Sequence, residues 1–174
     1  LVVRKYTENC WLIDAVNYLQ VGETEYNSLT KAYDAITGSS GTIKVIADTT
    51  VEAVLPNSPT DKIITFDLNG HELTYTQRLF NNGTMIIVDS SPDKTGKLLH
   101  PTSDNATIVN HGHLTLESGY ISSARQAIYN EKGSTFVMNG GTASFTCTKN
   151  YNTYAISGSV TLNGGTFTAT SGRW

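Results

Sequence analysis

The residues able to do chemistry in this chain are few and poorly grouped. It carries 15 Asp and Glu, but 13 of them fall within residues 1–104, leaving only Glu117 and Glu131 beyond. Hydrolysis of a glycosidic bond uses two carboxyl groups facing each other across it, and a calcium site needs clustered oxygen ligands. No Asp-Asp or Asp-x-Asp string supplies either. Asp67 lies between Phe66 and Leu68 and reads as an outward, solvated strand residue; Glu72 and Glu117 read as solvated turn carboxylates. His111-Gly112-His113 has the look of a chelate, with His71 as another imidazole, yet no third ligand lies near, so no metal is expected. No G-x-S-x-G motif occurs, and Cys147 sits among threonines. Neither a catalytic residue nor a cofactor is assigned.

Composition narrows the class. Of 174 residues only 16% are charged, against roughly 25% in an ordinary globular domain, and 39% are apolar. The chain holds 25 Thr, 15 Ser, 14 Asn and 15 Gly, a mixture suited to β-structure with many turns. A net charge of −3 without a basic patch argues against nucleic acid or an anionic membrane as partner. No run approaches the roughly 18 apolar residues of a membrane span, and no signal peptide opens the chain. The start on Leu1 and the stop on Trp174 suggest a piece of a longer protein. Cys10 and Cys147, 137 positions apart, are compatible with two free thiols or one long-range disulfide.

What must position any site is an internal repeat. Four segments align without a gap: Leu68-Asn-Gly-His-Glu-Leu73, Leu116-Glu-Ser-Gly-Tyr-Ile121, Met138-Asn-Gly-Gly-Thr-Ala143 and Leu162-Asn-Gly-Gly-Thr-Phe167. Each follows an alternating pair (Phe66 and Leu68, Leu114 and Leu116, Phe136 and Met138, Val160 and Leu162), and alternation marks a strand with one buried face. Met85 with Ile87 and Ile43 with Val45 extend the series, giving the markers Val45, Leu68, Ile87, Leu116, Met138 and Leu162. The wide interval after Ile87 predicts a surface excursion over residues 89–105. A further column precedes each strand, in Phe80-Asn81, Ile108-Val109-Asn110, Ile128-Tyr129-Asn130 and Ile156-Ser157.

Three short extended pieces per unit predict an all-β, right-handed, single-stranded parallel β-helix of about six coils, in one domain spanning 1–174. Like side chains then stack at the interstrand spacing of about 4.8 Å, with apolar columns inside and an asparagine ladder. Leucine-rich repeats fit the period, but they need more leucine and a helical return; a β-sandwich does not predict a recurring core column. Residues 1–40 form an amino-terminal cap and 41–174 the coils. Leu29, Ala32, Tyr33 and Ile36 make one helical stripe, predicting a capping helix near 28–37 with Asn27 or Ser28 at its start and Gly38 at its end. Trp11, Ile13 and Val16 are packing candidates in residues 1–25, which add a strand or two.

The stretches Tyr26–Ile36, Gly41–Ile46 and Ile64–Thr74, with the later Ala127-Ile-Tyr-Asn, Met138-Asn-Gly-Gly-Thr and Leu162-Asn-Gly-Gly-Thr-Phe strings, resemble pectate-lyase-like right-handed β-helices. More narrowly they resemble the β-helix modules of large surface proteins of Gram-positive, often gut, bacteria. The likeness covers residues 26–172. It implies an extracellular, secreted or wall-attached location and contact with host or environmental glycans. That superfamily hosts lyases, hydrolases, adhesins and inert stalks alike.

Against that background the exposed aromatics matter most. Tyr120, Thr142 and Thr166 share one outward column, while Tyr129, Tyr151 and Tyr154 lie near adjacent turns. Exposed aromatic rings stack on sugar faces and anchor ligands; the plainer alternative is that they only cover strand edges. Tyr120, Tyr129, Tyr151 and Tyr154 are therefore the candidate ligand-binding residues. The resemblance would make Arg125 a lyase base, but acidic neighbours to hold calcium are missing around it. The expectation is a non-catalytic, adhesin-like or stalk module with weak glycan binding, able to associate end to end through an uncapped last coil. Its competitor is the amino-terminal part of a polysaccharide lyase or glycoside hydrolase whose catalytic coils lie past residue 174.

Overall fold

The structure is a computed structural model and describes residues 2–7, 10–14, 16–101, 106–147 and 156–171. It is an all-β solenoid of about five turns with one short helix. Strands Ser40–Val45, Ile63–Asp67, Thr84–Val88, His113–Leu116, Thr135–Met138 and Val160–Leu162 pair in parallel to form the first sheet. The second stacks Thr49–Val51, Glu72–Tyr75, Lys97–His100, Tyr120–Ser123, Thr142–Cys147 and Thr166–Ser171. The third stacks Leu79–Asn81, Ala106–Asn110, Gln126–Asn130 and Ile156–Ser157. The sixth strand of the first sheet thus opens a turn of which the described residues hold two strands.

The core is a set of columns, because a parallel register places like positions over one another. Ile43, Phe66, Ile87, Leu116, Met138 and Leu162 stack along the first sheet. All are fully buried except Leu162, which is 55% exposed at the last described rung. Leu73, Leu98, Ile121 and Ala143 do the same in the second sheet, and Leu79, Ile108, Ile128 and Ile156 in the third. Burying each large aliphatic side chain stabilises the stack by roughly 1.5–3 kcal/mol.

One coil is placed differently from the sequence alignment. Ile87 pairs with Phe66, not Leu68, so the column intervals are 23, 21, 29, 22 and 24 residues. Leu68 instead turns into the first corner, where it is fully buried. There it fills space that two glycines leave open: a Cβ on Gly96 would come within 2.6 Å of the Leu68 Cβ, and one on Gly119 within 2.8 Å of its Cδ1.

The excursion expected over 89–105 is also not continuous. Residues 89–96 form a corner loop, and Lys97–His100 then returns to the second sheet with Leu98 and His100 buried. Asp89 pins that loop. Its carboxylate accepts hydrogen bonds from the backbone N–H of Gly70 (2.8 Å), Ser91 (3.1 Å) and Gly96 (2.5 Å). Asp67 is not solvated, as the strand pattern suggested, but buried, accepting from the N–H of Asn69 and Ser90.

At the third corner an asparagine ladder runs through the interior. Ser58 Oγ donates to Asn81 Oδ1 (3.0 Å), Asn81 Nδ2 to Asn110 Oδ1 (2.7 Å) and Asn110 Nδ2 to Asn130 Oδ1 (2.5 Å). An exposed counterpart at the first corner links Glu117, Asn139 and Asn163.

The cap holds helix Leu29–Ala35, whose start is fixed by Ser28 Oγ accepting from the Lys31 N–H. Leu29, Ala32, Tyr33 and Ile36 are buried, as the stripe predicts. The helix shares its covering role with a hairpin, Leu19–Val21 and Thr24–Tyr26, whose first strand pairs antiparallel with Ser40–Val45 and closes that edge of the first sheet. Val2–Thr7 and Cys10–Asp14 form a second hairpin. Val16 is 41% exposed and is not a packing residue, because it precedes the first solenoid strand; the side chains of Trp11 and Ile13 lie outside the described residues.

Candidate functional site

The outer surface of the third sheet carries two recesses among the described residues. Here Phe80, Val109 and Tyr129 pair in register, Val109 itself buried and Tyr129 exposed, alternating with the buried Leu79, Ile108 and Ile128. A depression of about 320 Å³ is lined by Arg78, Ala106, Val109, Arg125, Gln126 and Tyr129. A second, of about 260 Å³, is lined by Val54, Leu55, Gln77, Arg78 and Phe80. Arg78 belongs to both, so the two meet at its exposed side chain and make one groove along the coil axis.

The fold positions each group. The ladder of Asn81, Asn110 and Asn130 holds the three strands in register directly after the Phe80, Val109 and Tyr129 column. Ser123 Oγ accepts from the N–H of Arg125 (3.0 Å) and Gln126 (3.2 Å), a tight turn that aims both residues at the groove. Thr107 Oγ1 donates to the Ser122 carbonyl (2.7 Å), tying the coil below to the next. Phe80 is braced by His111, whose ring stacks on it at a centroid distance of 6.0 Å. His100, buried at the end of its second-sheet strand, donates from Nδ1 to the Tyr75 carbonyl at 2.8 Å. Burial pushes the His100 pKa down, the Tyr75 hydrogen bond works against this, and the positive charge of Arg78 adds to the fall.

The structure separates the tyrosine candidates. Tyr129 is 38% exposed and lines the groove. Tyr120 lies on the second sheet, in the column Glu72, Lys97, Tyr120, Thr142 and Thr166, and does not share the groove. Tyr151 and Tyr154 lie outside the described residues. Arg125 joins Tyr129 in the lining. Arg78 is the residue that sequence reasoning missed. Its signal was present, since Gln77-Arg78 precedes a third-sheet strand much as Arg125-Gln126 opens another, but the repeat alignment began two residues later, at Phe80-Asn81.

The other chemical groups are engaged in holding corners. Asp48 accepts from the Glu72 N–H (2.9 Å) and from His71 Nδ1 (3.0 Å); these two bonds, the backbone one foremost, hold its pKa below the usual carboxylate value. Lys97 Nζ pairs with Glu72 at 3.1 Å, with both side chains part exposed, a pair worth at most about 1 kcal/mol. His113 Nδ1 lies 2.7 Å from Thr135 Oγ1. Among the described residues no three His, Cys, Asp or Glu side chains converge in a way that could hold a metal ion. Among the described residues no helix is long and apolar enough to cross a membrane. In comparisons with protein-family models, curated proteins and solved structures, nothing matches this chain.

Proposed function

We propose that the chain is a non-catalytic, extracellular β-helix module of a bacterial surface protein, a stalk-like, adhesin-type element that binds glycan along the groove of its third sheet. The observation that carries this reading is the placement of Tyr129 and Phe80 in one in-register column beside Arg78. Sugars offer apolar ring faces flanked by hydroxyl groups. A rigid row of aromatic and aliphatic side chains edged by guanidinium and amide donors suits both. The solenoid supports a stalk role as well, since each coil contacts chiefly its neighbours and length grows by repetition. The pectate-lyase-like character of the repeat strings points to the same bacterial surface setting. Association end to end through the last coil is part of the proposal.

The test is a glycan array probed with the purified chain, alongside incubation with pectin, alginate and glycosaminoglycans with and without Ca²⁺. Binding lost in Tyr129→Ala and kept in Tyr120→Ala is expected, with no new reducing ends or unsaturated sugars. Turnover abolished by Arg125→Ala would favour the competing class, a polysaccharide lyase or hydrolase, and overturn the non-catalytic reading.

A further inference from the structure

We infer that the joint between the cap and the coils is a binding site for one buried water molecule, held by the hydroxyls of Tyr33 and Tyr75 with Tyr18 beside them. The site is independent of the glycan-binding reading above, because no cap residue is among the described residues that line the groove.

Three elements converge there. Tyr33 sits within helix Leu29–Ala35, on the buried stripe with Leu29, Ala32 and Ile36. Tyr75 ends strand Glu72–Tyr75 of the second sheet, and Tyr18 directly precedes strand Leu19–Val21 of the cap hairpin. Tyr33, Tyr75 and Tyr18 are 4%, 0% and 5% exposed and belong to one apolar core. Burial pushes the Tyr75 pKa well above the usual tyrosine value, and the phenol groups of Tyr18 and Tyr33 push it further, as befits close neighbours. Backbone contacts fix the frame. The Tyr18 N–H donates to the Tyr26 carbonyl (3.0 Å), its carbonyl accepts from the Ile46 N–H (3.0 Å), and the Tyr75 carbonyl accepts from His100 Nδ1 (2.8 Å).

The unsatisfied atoms identify the ligand. Neither Tyr33 Oη nor Tyr75 Oη has a hydrogen-bond partner among the described residues, although both are shut off from solvent. A phenol buried without a partner loses the hydration of its hydroxyl, and phenylalanine would fill the same space without that cost. Each hydroxyl donates once, so two that only faced each other would leave one proton unused. A water molecule has two lone pairs and accepts from both. It can also donate to Tyr18 Oη, which gives the about three bonds usual for a buried water. A neutral molecule suits the place better than an anion, since the helix face around Tyr33 is formed by Leu29, Ala32 and Ile36 and offers no cation to offset a buried charge. The water thus gives the cap one directional contact to the second sheet inside an otherwise apolar joint.

The experiment is a double-mutant cycle on the full 174-residue chain, with Tyr33→Phe, Tyr75→Phe and the pair compared by denaturant unfolding, together with a crystal structure of the parent. Each single variant is expected to raise the unfolded-to-folded ratio about tenfold, and the pair to fall well short of the roughly hundredfold that independent effects would give. In the crystal an ordered water is expected within hydrogen-bond distance of both oxygens. A phenylalanine variant more stable than the parent overturns the site, because that is how a hydroxyl with nothing to bind behaves. So does a strictly additive pair, or a crystal in which the two hydroxyls bond each other with no water between them. Sulfate stabilises folded proteins generally, so a melting temperature raised more by chloride than by sulfate at equal ionic strength would make the occupant an anion and overturn the water assignment. Phenylalanine keeps the ring and its volume, so both variants should fold. If one does not, the parent crystal structure decides.

Discussion

Asn81 donates from Nδ2 to Asn110 Oδ1 at 2.7 Å, inside the protein and between two successive coils. The same Nδ2 also reaches the His113 carbonyl at 3.0 Å, and Asn110 repeats the pattern with Asn130 and the Thr135 carbonyl. Each side chain thus serves its neighbour's amide and the backbone of the next turn, which makes the ladder a register lock for the third sheet. Asn110→Ala would leave Asn81 Nδ2 with only the His113 carbonyl and Asn130 Oδ1 with only the Ser134 hydroxyl, at a cost of about 2 kcal/mol by denaturant unfolding. Asn139→Ala in the exposed ladder should cost only about 0.5 kcal/mol.

The turn that follows each ladder asparagine depends on glycine for a steric reason. A Cβ on Gly112 would lie 2.1 Å from the Gly83 carbonyl oxygen, a backbone atom that cannot rotate away. Gly112→Ala should destabilise by about 2–3 kcal/mol. Gly133, with φ +92° and nothing within 4 Å of its Cβ position, supplies the contrast. There only the left-handed backbone resists, so Gly133→Ala should cost about 1–2 kcal/mol. Thermal melts of the two variants measure the difference.

Stability should respond to acid in two windows. The pKa of His100 is lowered in the folded chain below 6.5, so the unfolded chain binds the proton more readily and stability falls as pH drops below that value. His100→Gln should flatten this part of the profile. For Asp89, burial raises the pKa but the hydrogen bonds from Ser91, Gly96 and Gly70 outweigh it, leaving it below 3.8. Its contribution is complete above 3.8 and is lost as pH falls through the lower folded value; Asp89→Asn should remove this second decline. Denaturant midpoints measured across pH 3–7 on the parent and both variants check the assignment.

How much of this could be read in advance differs from element to element. The inward columns, the ladder asparagines and the stripe of Leu29, Ala32, Tyr33 and Ile36 follow from period and residue type alone. The displacement of Leu68 does not. Side chains alternate with a period of two, so a slip of one residue would bury the wrong face, but a slip of two leaves every side chain on its proper side. Alternation is therefore blind to whether Phe66 or Leu68 meets Ile87, and only the length of the corner decides. Asp67 misled for a related reason, since it points out of the strand but into a corner loop that covers it. The groove was half legible. Tyr129 and Arg125 stood out singly, but their union with Arg78 depends on strands from different coils, and no local pattern records that neighbourhood.

The central claim, that the third sheet is the binding face, is tested most directly by hydrogen–deuterium exchange of the whole chain with and without a saturating glycan from the array. Slowed exchange confined to residues 77–81, 106–110 and 125–130 is the predicted result. Protection concentrated instead at Thr142–Cys147 and Thr166–Ser171 on the second sheet, or no protection from any glycan, would contradict it.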